Sequence, residues 1–167
     1  MANEATKIKN GPYVATAKTV TMIANGEIPM YGAVILIAAG SGEEEPRVGT
    51  TTTAGSRLAY GIVVGPQLNS GKAADAAGDR VQVHPFGDGL PEKFIAEGTV
   101  AAFDPLETSA TAGALQTQTA VAHAATYGNG TTSDTQEKKS AAACAVSAKA
   151  RSDGETGVCL MTRGIVK

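Results

Sequence analysis

The sequence predicts an all-β fold, a small barrel or sandwich built from two similar β units behind an extended N-terminal arm. Three observations carry this. Short runs rich in Val, Ile, Thr and Tyr recur between Gly, Pro, Asn and Asp punctuation. No amphipathic stretch of helical period and about ten or more residues separates them, which disfavours a parallel α/β sheet. And one stretch occurs twice: Ile23-Ala24-Asn25-Gly26-Glu27-Ile28-Pro29-Met30-Tyr31-Gly32-Ala33-Val34 is echoed 72 residues later by Ile95-Ala96-Glu97-Gly98-Thr99-Val100-Ala101-Ala102-Phe103-Asp104-Pro105-Leu106. The echo keeps Ile, Ala and Gly and pairs Ile28 with Val100, Tyr31 with Phe103 and Val34 with Leu106, the apolar anchors and turn glycine that a small β unit needs.

The division that follows is an arm at 1–19, a first unit at 20–93 and a second at 94–167, with an exposed insertion at 116–139, both units in one compact domain. In the arm, Tyr13-Val14-Ala15-Thr16-Ala17-Lys18-Thr19-Val20 alternates weakly after Gly11-Pro12. Such a segment is either disordered or held as a strand added to another sheet edge. In the first unit, Thr21 to Ile23 ends at the turn pair Asn25-Gly26, and the continuous run from Ala33 to Ala38 predicts a strand covered on both faces. Arg47-Val48-Gly49 leads into the β-prone Thr50 to Thr53, and Leu58 to Gly65 reads as the next strand, closed by Pro66. Ser70 to Gly78 is a loop or one short helical turn, and Asp79 to His84 alternates as a half-buried strand should.

The second unit departs more from the first. Thr111 to Leu115 resembles Thr53 to Arg57, Ala141 to Ser147 takes the place of Leu58 to Val64 although its alanines are helix-competent, and Gly157 to Gly164 mirrors Arg80 to Gly87, with Val81 against Val158 and Val83 against Leu160. These later matches require loops of unequal length.

Composition narrows the function. The chain has 167 residues, net charge −2, 18% charged residues, no Trp, three Phe and four Tyr, and its 43% hydrophobic fraction is dominated by small side chains. A unit of about 70 residues with such a core is marginal alone, so each copy is expected to lean on the other or on neighbouring subunits. Basic residues are scattered and stacking aromatics few, so nucleic acid is not the expected partner. No apolar run approaches the about 20 residues of a membrane span, and no secretory signal opens the chain; a soluble protein made in a cytoplasm is expected.

No catalytic residue, metal site or cofactor is predicted. His84 and His123 are the only bases of the commonest nucleophilic type, and no motif surrounds either. Asp104 and Glu107 flank a proline that forms turns, and Glu43-Glu44-Glu45 reads as a solvated loop tip. The glycines complete no phosphate loop or dinucleotide fingerprint. Cys144 and Cys159 lack metal-ligand spacing and are expected as buried free thiols.

The I-A-x-G entry, the L-A-Y-G-I-V-V strand at 58–64, the A-A-G-D-R-V-Q-V segment at 76–83 and the F-D-P-L entry at 103–106 resemble the capsid decoration proteins, the cement or head-stabilising proteins of tailed double-stranded DNA viruses and prophages. The resemblance spans about residues 20 to 167, without the insertion and the cysteines. It implies a non-enzymatic homotrimer that sits on the outside of an icosahedral virion capsid and clamps adjacent major capsid subunits. The arm residues Ile8, Pro12, Tyr13 and Val14 are the candidate capsid contacts. Two alternatives remain, a virion-associated glycan-binding or adhesion module and a hydrolase on a β scaffold. The first would show exposed aromatic platforms and the second a deep pocket with convergent carboxylates or a histidine.

Overall fold

The structure is a computed structural model that describes residues 19–39, 45–119 and 143–162. The arm candidates Ile8, Pro12, Tyr13 and Val14, His123, and residues 120–139 of the expected insertion lie outside the described residues. Among the described residues the fold is all-β, with no helix. Its strands are β1 (Val20–Asn25), β2 (Ile28–Pro29), β3 (Ala33–Ile37), β4 (Arg47–Gly49), β5 (Ala59–Gly65), β6 (Lys72–Ala74), β7 (Ala77–Pro85), β8 (Pro91–Ile95), β9 (Pro105–Thr108), β10 (Leu115–Thr117), β11 (Ala145–Ser147) and β12 (Thr156–Leu160).

Strands β1-β4-β3-β5-β7 close into a barrel, and β10-β9-β11-β12-β8 form a second, five-stranded sheet. The two orders are the same order. Replacing β1, β4, β3, β5 and β7 by β8, β10, β9, β11 and β12 converts one into the other, with antiparallel and parallel pairs kept. The parallel pair Ala24 and Val48 in the barrel has its counterpart in a single parallel bridge, Ala96 to Leu115, that joins the two edges of the second sheet. The short β2–β6 ladder, with Ile28 opposite Ala74, recurs as the bridge Val100 to Arg151.

The repeated entry is built on one turn. Gly32 N–H donates to Pro29 O at 3.0 Å, and Asp104 N–H donates to Ala101 O at 3.3 Å. The third residue of each turn is the aromatic one, Tyr31 at φ 64° and Phe103 at φ 66°, and these are the positive-φ residues other than glycine among the described residues. A type II turn demands that conformation at this position and ordinarily places Gly or Asn there. Each turn is then clasped in the same way: Tyr31 N–H donates to Val63 O and Val63 N–H to Gly32 O, while Phe103 N–H donates to Ser147 O and Ser147 N–H to Asp104 O.

The registers correct the later sequence matches. Met22 pairs with Val81 and Phe94 with Gly157, so β12 follows β7 by 76 residues, one fewer than the match of Val81 to Val158 implies. Since a slip of one residue exchanges the faces of a strand, it is Gly157 and Cys159 that point inward, and Leu160 stands 41% exposed. Ala33 pairs with Ile62 and Pro105 with Val146, again one residue from the expected correspondence of Ala141–Ser147 to Leu58–Val64. The helix-competent alanines end in a strand. Leu115 takes the place of Val48, not of Arg57.

Other expectations shift as well. Only the start of the apolar run at 33–38 is covered on both faces: Val34 is fully buried but Leu36 is exposed. Thr50 to Thr53 form no strand, whereas Lys72–Ala74, expected as loop or helical turn, do. Gln116 and Thr117, expected at the start of the exposed insertion, belong to β10, and Gln118 is buried.

The barrel interior is filled by Met22, Val34, Val48, Val63, Val81 and Val83 with small alanines. The outer face of β3 and β5 supplies Ala33, Ala59 and Ile62 to another core, in which Phe94, Leu106, Leu115 and Met161 of the second unit take part. This shared core joins the units. At the barrel's tightest point Gly61 pairs with Pro85, and a Cβ there would run into the His84 carbonyl and meet Val83 Cγ1 at 2.8 Å. Gly61→Ala is therefore expected to destabilise the fold by about 2–3 kcal/mol, read as a lower urea midpoint at unchanged slope.

Candidate functional site

The sequence places its candidate contacts in the arm, outside the described residues. The structure assembles its most elaborate polar site elsewhere, where the barrel meets the second sheet. β7 ends at Pro85, and the linker to β8 is pinned by Gly87 and Gly89 N–H groups donating to Met161 O at 3.0 and 2.8 Å, and by Met161 N–H donating to Leu90 O at 2.9 Å. His84 lies beneath this linker, fully buried. Its Nε2 is 2.7 Å from Asp88 Oδ2 and its Nδ1 is 3.1 Å from Glu92 Oε2. The histidine thus ties the last residues of β7 to the start of β8.

Asp88 is held from two sides. Partial burial pushes its carboxyl up, but the Leu90 N–H at 2.9 Å and the His84 ring favour the charged form and outweigh burial, leaving it below the ordinary carboxylate value. No catalytic role follows from this geometry, in which each group is engaged in joining two strands.

On the other side of the junction, Ala33 N–H donates to Gly113 O at 2.8 Å, Gly55 N–H to Thr108 O at 2.8 Å, and Thr108 Oγ1 to Thr53 O at 3.0 Å. A Cβ on Gly113 would meet Pro29 Cγ at 2.8 Å, and Gly113 has φ 81°, so glycine is required on both counts. Tyr31 packs against the shared core, with Lys93 Nζ 5.0 Å from its ring centroid.

No protein-family model and no curated protein matches the chain. The fold is shared with a solved structure. That structure is the head fiber gp8.5 N base of bacteriophage phi29, similar at TM-score 0.58 and 12% sequence identity over 90% of this chain and 98% of that one. At this identity the likeness carries the fold alone.

The remaining sequence candidates are structural in their contacts. Asp104 Oδ2 accepts from Ala101 N–H and Thr117 Oγ1, both at 3.1 Å, closing its turn. Glu107 Oε1 accepts from Gln116 Nε2 at 3.1 Å and from Thr119 Oγ1 at 3.2 Å. Glu45 pairs with Arg80 at 2.9 Å on the surface. Among the described residues no group of three His, Cys, Asp or Glu is placed to hold a metal ion, and no helix is long and apolar enough to cross a membrane. Cys144 and Cys159 are buried, Cys144 Sγ donating to Leu106 O at 3.5 Å.

What sequence reasoning missed is the outer face of the second unit. Pro105 is opposite Val146, Val146 opposite Leu160, and Leu160 opposite Pro91, so four apolar residues form one row across β9, β11, β12 and β8. Phe103, 78% exposed, stands beside it on the strand-entry turn. The alternation of Val158 and Leu160 with Gly157 and Cys159 was the available signal, and it admits two phases.

Two measurements test this site. Because the folded-state value of Asp88 lies below the unfolded one, its stabilisation is complete above the ordinary carboxylate range and is lost as pH falls through and below about 4. Asp88→Asn is expected to be less stable near neutrality and to lose less of its urea midpoint than the wild type on acidification to about pH 3. Burial and the Glu92 charge push the Cys159 thiol up to about 12. A thiol reagent at neutral pH should therefore leave both buried cysteines of the native protein unmodified and label both after denaturation, since the thiolate is the reacting form.

Proposed function

We propose that this chain is a structural protein of a bacteriophage head, of the decoration or cement type, which binds the outside of an icosahedral shell and stabilises contacts between major capsid subunits. The supporting observation is the fold correspondence with the phi29 head fiber base, which takes in 90% of this chain and 98% of that one, so that both units and their junction are included. The resemblance in sequence texture to decoration proteins points the same way without depending on it. On this reading the protein works by binding and not by catalysis, needs no cofactor, is made in the host cytoplasm and ends on the virion surface.

The physical character of the molecule suits such a role. The barrel core, built largely of valines and alanines, gains from neighbours. A homotrimer on a three-fold position of a shell multiplies weak contacts, since docking of one subunit raises the effective concentration of the other two sites. The arm supplies the contact: Ile8, Pro12, Tyr13 and Val14 add as an extended strand to a capsid sheet, with main-chain hydrogen bonds giving affinity.

Co-sedimentation with undecorated shells tests the reading. The full chain is expected to pellet with shells, and the chain lacking residues 2–14 is expected to keep its fold by circular dichroism and remain in the supernatant. A full chain that stays in the supernatant at every protein excess refutes the capsid role. Equal occupancy by both chains refutes the arm as the contact.

A further inference from the structure

We propose that the His84 cluster is a pH-sensitive latch: it closes the junction between the two units around one shared proton, and the linker at 86–90 lets go when that proton leaves. The inference concerns the hold of one unit on the other and is independent of capsid binding.

The count of hydrogens carries it. His84 Nε2 is 2.7 Å from Asp88 Oδ2 and its Nδ1 is 3.1 Å from Glu92 Oε2, and each contact is a hydrogen bond only with a hydrogen lying between nitrogen and oxygen. A neutral imidazole facing two carboxylates has a single hydrogen for these two places. With both contacts made, the cluster therefore holds one proton more. The count is the same whether the second hydrogen rides on the ring or on a carboxyl oxygen. Without it a nitrogen lone pair faces a carboxylate oxygen at hydrogen-bond distance, and the ring is fully buried, where such repulsion is least screened.

The groups around the ring do not replace this proton. The linker brings Asp88 and β8 brings Glu92. Strand β12 brings Cys159, which pairs with Glu92 and whose thiol is pushed up to about 12 by burial and by that carboxylate. The strands that flank β7 bring apolar residues, Ile62 of β5 opposite the histidine and Val20 of β1 opposite Val83, while Tyr60 of β5 packs against the barrel interior. Lys93, next along β8, gives its main-chain N–H to Glu92 Oε1 but carries its ammonium 5.0 Å from the Tyr31 ring centroid.

The latch opens at Asp88. Its side chain is 35% exposed against 19% for Glu92, and it belongs to the linker, whereas Glu92 is fixed in β8 by the ladder to β12. An Asp88 side chain that swings to water gives up the Leu90 N–H as well, and the linker is then held by its main-chain bonds to Met161.

The sign of the effect follows from proton linkage. The shared proton is bound in the folded chain and is absent from the unfolded one above the ordinary histidine value of about 6.5. Its contribution to stability is therefore complete below that value and is lost as pH rises through release from the folded cluster. Over that interval the unfolding constant climbs tenfold per pH unit for the one proton.

Urea unfolding at a series of pH values from about 6 to 9, with Asp88→Asn beside the wild type, reads the proton. The amide introduced by Asp88→Asn brings its own N–H to Nε2, so a neutral ring donating to Glu92 completes both contacts and no shared proton is needed. The ratio of the two unfolding constants is expected to shift by up to tenfold per pH unit, the wild type losing its advantage as pH rises. The Cys159 thiol adds a slope of the same sign above about 8.5, but it is present in both chains and cancels in the ratio. A ratio that stays constant over the whole range overturns the proposal. Amide hydrogen exchange of the wild type alone gives a second reading, whatever the behaviour of Asp88→Asn. The protection factors of the Gly87 and Gly89 N–H groups are expected to fall by up to tenfold per pH unit over the same interval, and factors that stay level overturn the latch.

Discussion

The constraint on which the structure depends is that a barrel lined by valines and alanines is too small to be stable on its own surface area. Its interior row of Met22, Val34, Val48, Val63, Val81 and Val83 buries little per residue, and units of about this size are marginal. The outer face of β3 and β5 supplies what the interior lacks. Ala33, Ala59 and Ile62 are apolar outward-facing residues in a barrel that would be expected to present polar ones there, and they enter the second unit's core. Strand pairing makes each unit, but the burial between units makes the molecule.

Apolar burial alone would leave the relative placement of the units loose, because it is not directional. The buried histidine supplies direction. His84 reaches Asp88 in the linker and Glu92 on β8, and both distances hold only at one placement of β8 against β7. A buried polar group left without a partner costs more than a satisfied one contributes, so displaced arrangements are penalised more heavily than the native one is favoured. The linker bonds to Met161 repeat the same restriction in the backbone.

How much of this was legible in the sequence depended on how local the constraint was. The all-β class and the repeated entry were readable because both are set within a few residues: β-branched runs, and a turn whose third residue must take positive φ in both copies. The remainder of the repeat was misread by one residue in β11 and β12. Gly157 and Cys159 alternate with Val158 and Leu160, and hydrophobicity alone sends the valine and leucine inward. Space decides otherwise, because the Phe94 ring sits where a Gly157 side chain would be, so the small residue must face it. The His84 cluster was invisible for a related reason. Asp88 and Glu92 lie near it in the chain, but only the turn at 86–90 brings both carboxylates back over one imidazole.

The two turns give the clearest view of what the free chain leaves unresolved. An aromatic residue at positive φ costs on the order of 1 kcal/mol relative to glycine, and the chain accepts that cost twice. At Tyr31 the cost is offset within the molecule, since the ring packs on the shared core and meets the Lys93 ammonium. At Phe103 the backbone strain is the same and the ring is exposed, with no packing among the described residues to offset it. The repeat therefore has two unlike ends: an inner turn whose strain is balanced by packing on the shared core, and an outer turn whose aromatic ring is left exposed.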